Sequence, residues 1–446
     1  MKQFVTEKHH EEAVEALKKL IQVPSVLDES DSGEGHPFGK NVVKALDQVL
    51  EICDSIGLRT FKDPEGYYAY AEVGEGDDLF AILCHMDVVP AADQKGWNTD
   101  PFDPVIKDGI IYGRGSQDDK GPSMAALYAV KALMDSGVEF NQRIRFIFGS
   151  DEENLWRCME KYNEKEESAT AGIAPDHSFP LTFAEKGLLQ AYLVGPGTDK
   201  VAVHAGGALN VVPDTAPYKG EYVEAVKASL DKLGFPYEME GDAVVVQGKS
   251  VHAKDASDGI NAITRLAMAL SESVDFSPLN FLGKLVKENA TGENVVGKTE
   301  DEQSGELTMN FASLVISPEE TKIGVDMRLP VTVKKEDLEA KIAEKVKEYD
   351  LTYQEFDWLD SLYVPQDSTL VKTLLATYRE MTGDMSEPEI SGGATFARTM
   401  KNCVAYGAMF EDTPDFMHQA NEQWELAQLY KAMDIYAESI YRLCGK

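Results

Sequence analysis

One apolar segment of the chain ends in two chemically reactive side chains. Residues 80–84 are all apolar or small, and His85, Met86 and Asp87 follow them directly. An apolar run of this length predicts a buried β-strand. A histidine and a carboxylate at the end of such a strand need polar partners, because their burial without partners costs free energy. The segment therefore raises the question of what His85 and Asp87 bind.

Helices and strands alternate through the first part of the chain. Helical periodicity covers residues 11–22, 41–57 and 121–137, and strand-like segments lie near 67–73 and 143–150. This alternation predicts an α/β domain with a largely parallel central sheet and helices on both faces.

The character of the sequence changes near residue 189. Alternating strand-like segments with helices between them indicate one or two α+β units inserted into the first domain, whose pattern resumes near residue 368. We therefore predict a first domain formed by residues 1–188 and 382–446, and an inserted α+β lid domain at 189–381.

Charge and cysteine content bear on partners and on cellular location. The chain has 43 Lys and Arg residues against 77 Asp and Glu residues, a net charge of −34 that argues against nucleic acid and anionic membranes as partners. It has no apolar run of about 18 residues, which predicts no membrane span. The N-terminal sequence has no apolar signal region, and the five cysteines form no CxxC pair. These features predict a cytoplasmic protein with reduced thiols.

Five polar clusters follow apolar segments, at residues 85–87, 113–121, 148–154, 174–180 and 415–422. The carboxyl ends of strands in an open α/β sheet collect functional groups. Convergence of the clusters there would assemble histidines and carboxylates that suit two divalent cations.

Each of these clusters is weak evidence when it is taken alone. A single His-x-Asp is more often surface polarity than a metal site, and adjacent acids are most often solvated loop charges. The GRG at residues 113–115 matches neither dinucleotide-binding nor P-loop spacing. Cys84 is more typical of a small buried apolar side chain than of a metal ligand.

Nine separated motifs, in one order between residues 81 and 422, carry a resemblance to a known family. They include HMDVVPA with GRGSQDDKGP, SDEEN, PDHSFP, LNVVPD, GKSVHAKDASDGINA, GELTMNFA, DMRLP, SGGATFART and DFMHQANE. With these motifs the chain resembles the di-zinc metallopeptidase superfamily of carboxypeptidase G, aminoacylase and carnosinase, and within it the dipeptidase V type.

The resemblance implies a set of metal ligands. His85 would bind one ion and His418 the other, Asp118 would bridge both, and Glu153 and Asp176 would each complete one ligand sphere. Zinc suits these ligands best, and manganese or cobalt would also bind.

Two further residues receive roles from the same resemblance. Glu152 would be the general base, and Asp87 would support His85. Residues two apart on an extended strand lie on one face, so Asp87 can reach the His85 ring and fix its tautomer.

The inserted domain would supply substrate contacts. By resemblance, Asn210 and His252 would stabilise the tetrahedral oxyanion, and Arg328 would bind the C-terminal carboxylate of the substrate. Backbone N–H groups of Gly392 and Gly393 would contact the same carboxylate. Two structural alternatives stay open: Asn210 as the cap of a turn before Pro213, and Arg328 in an ordinary ion pair.

The implied function is hydrolysis of dipeptides with a free N-terminus, by water that the metals activate and Glu152 deprotonates. The small peptide would be the partner, and the long insertion favours a monomer. One alternative is an amidohydrolase of N-acyl amino acids, similar to aminoacylase or succinyl-diaminopimelate desuccinylase, and another is a metal-binding protein without catalysis. His177 and residues 154–156 depart from the family pattern, which leaves the specificity open.

Overall fold

A computed structural model describes residues 3–91 and 95–446 of the chain. Its α-helices are, in chain order, α1 (Glu7–Ile21), α2 (Lys40–Ser55), α3 (Lys120–Asp135), α4 (Arg157–Lys165), α5 (Val223–Leu233), α6 (Ala262–Leu270), α7 (Ser277–Asn280), α8 (Glu293–Val296), α9 (Lys335–Lys347), α10 (Thr369–Thr382) and α11 (Leu426–Cys444). Short 3₁₀ segments lie at Glu29–Asp31, Ala253–Asp258 and Phe396–Thr399, and a π-helical turn lies at Phe281–Val286.

The β-strands are, in chain order, β1 (Arg59–Lys62), β2 (Tyr68–Val73), β3 (Leu79–His85), β4 (Val105–Lys107), β5 (Ile110–Tyr112), β6 (Arg143–Gly149), β7 (Ala171–Ala174), β8 (His177–Ser178), β9 (Thr182–Glu185), β10 (Gly187–Pro196), β11 (Val203–Gly206), β12 (Thr215–Tyr218), β13 (Tyr237–Glu240), β14 (Ala243–Gln247), β15 (Glu300–Asp301), β16 (Gly305–Glu306), β17 (Thr308–Ile316), β18 (Glu320–Leu329), β19 (Thr352–Leu359), β20 (Leu362–Tyr363), β21 (Glu389–Ser391), β22 (Cys403–Ala405), β23 (Ala408–Met409) and β24 (Gln423–Glu425).

The chain divides into two compact units. The first contains Met1–Phe183, Tyr363–Glu389 and Thr395–Lys446, and the second contains Ala184–Leu362 and Ile390–Ala394. The long segment of the second unit therefore ends at Leu362, 19 residues before the predicted boundary at 381.

Helix α10 accounts for this difference, because it packs within the first unit. It contacts α11 and buries one apolar stripe that includes Leu370, Leu374 and Tyr378. The ring of Tyr378 stacks on Phe179 of the first unit, with the ring centroids 5.2 Å apart. The sequence pattern detected this helix, but it could not show which core the apolar stripe joins.

The first unit is built on a mixed sheet whose central strands are parallel. The strand order is β1-β2-β6-β3-β7-β22-β9-β20. Strands β6, β3, β7 and β22 pair in parallel, and β2 joins β6 in the antiparallel sense. The prediction of an α/β fold with a largely parallel central sheet is therefore confirmed.

Strand β3 lies at the centre of this sheet and is buried along its whole length. Burial of consecutive residues is typical of a parallel strand covered on both faces, and it explains the unbroken apolar run before His85. Helix α3 packs against β3, α1 and α11. His85 pairs in register with Gly149, the last residue of β6, so both strands end at the same edge of the sheet.

The second unit contains two larger antiparallel sheets with helices, besides the two-stranded sheet β15-β16. One has the order β11-β17-β18-β10-β19, and the smaller has the order β12-β14-β13. Alternating burial along β10 marks a strand with one face in the core. A cluster of buried residues from these strands and from α5, α6 and α9 forms the core.

Across the described ranges 3–91 and 95–446, no helix combines the length and the apolar character that a membrane crossing requires.

Candidate active site

Three neighbouring parallel strands deliver acidic and histidine side chains to one edge of the first unit's sheet. His85 is the last residue of β3, Glu152 and Glu153 follow β6, and Asp176 follows β7. Asp118 lies in the loop before α3, and His418 lies in a loop before β24. Five separate segments of the sequence thus meet in one place.

The predicted ligands form two groups that share one carboxylate. His85, Asp118 and Asp176 make one group, and Asp118, Glu153 and His418 make the other; the ligand atoms of each group lie within 4.8 Å of one another. His85 Nε2 lies 3.8 Å from Asp176 Oδ2, and His418 Nε2 lies 3.0 Å from Glu153 Oε2.

Asp118 faces one imidazole with each of its two carboxylate oxygens. Oδ1 lies 3.0 Å from His85 Nε2, and Oδ2 lies 3.0 Å from His418 Nε2. Burial raises the pKa of Asp118, but the hydrogen bonds with His418 and His85 outweigh burial and bring it well below its ordinary value. Asp118 is therefore an ionised carboxylate between two imidazoles, the geometry that a bridging ligand requires.

The donor chemistry of both groups fits divalent cations. Each offers one imidazole nitrogen and two carboxylates, and three protein ligands leave a coordination position open, as in catalytic zinc sites. Burial raises the pKa of Asp176, and the negative charge of Asp118 raises it further. The same two causes raise the pKa of Glu153. Crowded acids with raised pKa values are the arrangement that cations stabilise.

The tautomer of His85 is fixed by its own strand end. Its Nδ1 lies 3.0 Å from the backbone carbonyl oxygen of Asp87, which can only accept. Nδ1–H is therefore the donor to this carbonyl, and Nε2 is the ring nitrogen that faces Asp118 and Asp176.

The carboxylate of Asp87 makes hydrogen bonds that were not predicted. Its Oδ1 lies 3.6 Å from His85 Nδ1, too far for a hydrogen bond. Instead, Oδ1 accepts the N–H of Glu152 and Oδ2 accepts the N–H of Glu153, both at 3.1 Å. Asp87 therefore holds the turn that carries the two glutamates, while its carbonyl orients His85.

Glu152 lies in the turn that follows β6. Its backbone carbonyl accepts a hydrogen bond from Trp156 Nε1 at 2.7 Å. Burial raises the pKa of its carboxyl well above the ordinary value; the charge of His85 opposes this rise, and the charges of Glu153 and Asp118 add to it. A carboxylate with a raised pKa is suited to accept a proton near neutral pH.

Sequence reasoning missed a set of residues that support the ligands. Asp119 is buried, and its Oδ2 accepts the N–H of His85 at 3.2 Å and the hydroxyl of Ser123 at 2.9 Å. Arg114 and Glu422 form a buried ion pair at 2.6 Å beside Asp118. Their presence inside the GRGSQDDKG and DFMHQANE motifs was the available signal, but no spacing rule connects residues so far apart.

Asn210 and His252 lie close together in the second unit. Asn210 is exposed, and its carbonyl accepts the N–H of Ala253 at 2.8 Å. His252 Nδ1 accepts the N–H of Lys254 at 3.1 Å, which leaves the ring proton of the neutral form on Nε2. Desolvation, followed by the charge of Arg328, lowers the pKa of His252. A neutral imidazole with an Nε2 donor can stabilise an oxyanion.

Asn310, which was not predicted, fixes the segment that carries Asn210. It is buried in β17, and its Nδ2 donates to the carbonyls of Leu209 and Val211 at 3.1 and 2.9 Å. The asparagine of the GELTMNFA motif therefore has a positioning role in this unit.

Arg328 is a buried residue in an ion pair of the second unit. Its Nε and Nη2 donate to the two carboxylate oxygens of Asp326 at 2.7 and 3.1 Å, and its Nη1 donates to the carbonyl of Gly392 at 2.9 Å. The N–H of Gly393 donates to Ser391 Oγ at 2.9 Å. The N–H of Gly393 is therefore bonded within its own loop, and Gly392 presents its carbonyl to Arg328; the predicted contacts of both with the substrate carboxylate stay predictions.

His177 and Cys84 take no part in the two ligand groups. His177 Nδ1 lies 3.1 Å from Thr182 Oγ1, the bonding expected of a loop histidine. Cys84 is buried within β3, and burial raises the pKa of its thiol well above the ordinary value. A protonated buried thiol is a small apolar side chain rather than a ligand.

Comparison with known proteins gives a match that covers most of the chain. The model of peptidase family M20/M25/M40 matches residues 81–442. A protein of Staphylococcus haemolyticus with the provisional name dipeptidase SH1171 is 35% identical over 461 residues, which cover 97% of this chain and 97% of that protein.

Solved structures share the fold at low sequence identity. The M20 family metallo-carboxypeptidase Sso-CP2 of Sulfolobus solfataricus has a TM-score of 0.60 at 19% identity, with 96% of this chain and 98% of that chain covered. The dipeptidase Dug1p of Saccharomyces cerevisiae has a TM-score of 0.60 at 16% identity, with 98% of each chain covered. At these identities the two structures support the fold alone.

Proposed function

The chain belongs to peptidase family M20/M25/M40, and from this membership we propose that it is a metal-dependent dipeptidase that cleaves dipeptides with a free N-terminus. The observation that carries the proposal is the pair of ligand groups that share Asp118. The relative from Staphylococcus haemolyticus, with a dipeptidase name and 35% identity over nearly the whole chain, supports the choice of substrate class.

The residues that would hold two cations are His85, Asp118 and Asp176 for one, and Asp118, Glu153 and His418 for the other. Zinc fits imidazole and carboxylate ligands best, with Mn²⁺ and Co²⁺ as alternatives. The chemistry that such cations supply when bound is polarisation of a carbonyl and a lowered pKa of water.

The proton transfers are assigned to Glu152. It takes a proton from the attacking water and returns it to the leaving amine. Its raised pKa supports this role, because a stronger base holds the proton until the amine departs. Asp87 holds Glu152 and Glu153 in one turn, where Glu152 would transfer the proton and Glu153 would bind a cation.

We propose that residues of the second unit bind the oxyanion and the C-terminal carboxylate of the substrate. His252 Nε2–H, with Asn210, would stabilise the oxyanion. Arg328 has five N–H donors, of which the bonds to Asp326 and Gly392 use three, and the remaining donors would bind the substrate's C-terminal carboxylate.

The role of His252 has a direct test. His252→Ala should lower kcat by about 10²- to 10³-fold, the range for loss of one oxyanion donor, with metal content unchanged. His204→Ala is the matched control, because His204 is another exposed histidine of the same unit. Equal kcat values for both variants would remove His252 from the mechanism.

Three finer assignments complete the proposal: the dipeptidase V type, a monomer and a cytoplasmic location. The motifs GELTMNFA and SGGATFART support the type. The length of the second unit, Ala184–Leu362, supports the monomer. Light scattering of the dilute protein would contradict the monomer if it showed a stable dimer.

One activity screen tests the function. Protein stripped with a chelator and reloaded with Zn²⁺, Mn²⁺ or Co²⁺ should cleave free dipeptides faster than tripeptides, and N-acetylated amino acids least. Glu152→Gln prepared in parallel controls for contaminating peptidases. Preference for N-acyl amino acids would replace the dipeptidase with the amidohydrolase, and full activity of metal-free protein would contradict both.

A further inference from the structure

Glu422 is a fully buried acid that belongs to neither ligand group. It lies four residues after His418, between that loop and strand β24. Its carboxylate points to the loop of residues 113–118, which ends in Asp118. Side chains of this kind are rarely buried without a specific set of partners.

Both carboxylate oxygens of Glu422 are engaged by that loop. Oε1 accepts the backbone N–H groups of Gly115, Gln117 and Asp118 at 3.0, 2.8 and 3.2 Å. Oε2 accepts Arg114 Nη1 at 2.6 Å. One carboxylate therefore binds three backbone N–H groups and a guanidinium. One of these N–H groups belongs to Asp118, the proposed bridging ligand.

The same two segments are joined a second time by Gln117. Its Nε2 donates to the carbonyl of Pro414 at 2.9 Å, and its Oε1 accepts the N–H of Phe416 at 2.9 Å. The carbonyl of Glu422 also accepts the N–H of Gly113 at 2.9 Å. The loop of residues 113–118 and the segment of residues 414–422 are thus bonded on both sides of His418.

These bonds determine how two proposed ligands face each other. Asp118 lies on one of the joined segments and His418 on the other, with Asp118 Oδ2 and His418 Nε2 3.0 Å apart. The His418 side chain is 56% exposed, and its Nε2 also lies 3.0 Å from Glu153 Oε2. The bonds through Glu422 and Gln117 join the two segments that carry this pair.

We infer that Glu422, paired with Arg114, is a positioning residue that holds Asp118 and His418 in the geometry of a shared cation site. The inference rests on the proposed function, because it assigns a cation to Asp118, Glu153 and His418. Residues that support ligands in this way typically change metal affinity about 10- to 100-fold when they are replaced.

Glu422→Gln is the most direct perturbation, because it keeps the shape of the side chain. One amide oxygen could still accept the three N–H groups, but the amide NH₂ would then face Arg114 Nη1, a second donor. The buried guanidinium of Arg114 would also lose the negative charge of Glu422. Either the loop or the guanidinium must move, and Asp118 moves with the loop.

A matched control separates positioning from general stabilisation. Glu72 is also buried, and its Oε2 accepts Arg145 Nε at 2.8 Å between strands β2 and β6. Glu72→Gln breaks an ion pair of the same kind in the same unit, away from the ligands. It should lower the Tm without a change in metal binding.

The experiment is a Co²⁺ titration of the full-length, metal-stripped protein, followed by visible absorption. Wild type and Glu72→Gln should bind two equivalents with the same spectrum. Glu422→Gln should bind one of the two about 10- to 100-fold more weakly, with altered d–d bands. Two equivalents with unchanged affinity and spectrum in Glu422→Gln would overturn the inference.

A second variant keeps the test decisive if Glu422→Gln does not fold. Gln117→Met has nearly the same volume and removes the bonds to Pro414 and Phe416. It should weaken the same equivalent of Co²⁺ about 10-fold, and wild-type binding by this variant would overturn the inference. Failure of the wild type to bind two equivalents would instead contradict the proposed function.

Discussion

The buried charges of the two units are balanced in different ways. In the first unit, two imidazoles face the carboxylates of Asp118, Glu153 and Asp176, with Glu152 next to them. In the second unit, the buried guanidinium of Arg328 faces one carboxylate, Asp326, through two hydrogen bonds. The first set has more acid than the protein neutralises, whereas the second is neutral by itself.

This difference separates two kinds of polar residue that look alike in a sequence. An excess of buried acid requires cations, so it marks a site of ligand binding. A neutral buried pair can be structural, and the proposed substrate contact of Arg328 must therefore come from the donors that the pair does not use. The following predictions test the comparison, from the largest expected effect to the smallest.

Replacement of Glu152 should have the largest effect on rate. Glu152→Gln should lower kcat by about 10³- to 10⁴-fold, because a general base contributes up to that amount. Both metal equivalents should remain, since Glu152 is outside the two ligand groups. Metal content and rate are measured on one sample, with the exposed residue Glu160→Gln as the control. Loss of one metal with normal kcat would mean that Glu152 and Glu153 exchange roles.

Replacement of Asp87 should have an intermediate effect on metal affinity and rate, because Asp87 holds the turn of Glu152 and Glu153. Asp87→Asn leaves one oxygen for two backbone donors, and its NH₂ then opposes the N–H of Glu152 or Glu153. We expect metal affinity and kcat/KM to fall by about 10- to 100-fold. Asp63→Asn is the control, because Asp63 is a buried acid that accepts the Tyr67 N–H at 3.2 Å. Equal behaviour of the two variants would mean that Asp87 only stabilises the fold.

Replacement of Arg328 tests whether the neutral pair also binds substrate. Arg328→Lys keeps a charge beside Asp326 but removes the remaining guanidinium donors. KM for a dipeptide should rise about 10-fold, the value of a charge-assisted hydrogen bond, and KM for the corresponding dipeptide amide should rise much less. Parallel changes for both substrates would assign Arg328 to the structural pair alone.

An ion pair at the surface should show the smallest effect. Glu167 accepts hydrogen bonds from Arg143 Nη1 at 2.5 Å and from Arg145 Nη2 at 2.9 Å. The Arg143 hydrogen bond chiefly lowers the pKa of Glu167 from 4.5 to about 2. A lowered folded-state pKa stabilises the protein above pH 4.5, and that stability is lost as the pH falls towards 2.

The size of this effect is limited by solvent. The Glu167 side chain is 47% exposed, so Glu167→Gln should reduce the free energy of unfolding at pH 7 by less than about 1 kcal/mol. Denaturant titrations at pH 7 and at pH 3 should show the difference shrinking at the lower pH. A larger difference at pH 3 would contradict the sign of the linkage.

The sequence was sufficient to locate three of the polar clusters because they follow apolar strands. His85, Glu153 and Asp176 end neighbouring parallel strands, and parallel strands bring their carboxyl ends to one edge. All five ligand assignments came from the resemblance, and the structure brings Asp118 and His418 to the same edge as the others. The proposed catalytic roles of all these residues stay predictions until they are measured.

Other parts of the site could not be predicted, because their bonds join distant residues. Glu422 accepts the N–H of Asp118 across 304 positions of sequence, and Asp87 accepts Glu152 and Glu153 across 65 and 66. A motif shows that an acid is present, but it does not show which donor that acid meets. Helix α10 gives the same lesson for packing, since its apolar stripe fits either unit until the contacts with α11 are known.

The sequence by itself determined the chemical types and the local elements: an apolar strand that ends in His85, an alternation of helices with strands, and an excess of acid over base. Only the tertiary structure decided that Asp118 faces one imidazole with each oxygen, that Asp87 holds the two glutamates, and that Asp326 neutralises Arg328. The physical reason is range. Periodicity and propensity act over a few residues, whereas hydrogen bonds and charge balance depend on distances of about 3 Å between atoms that the fold alone brings together.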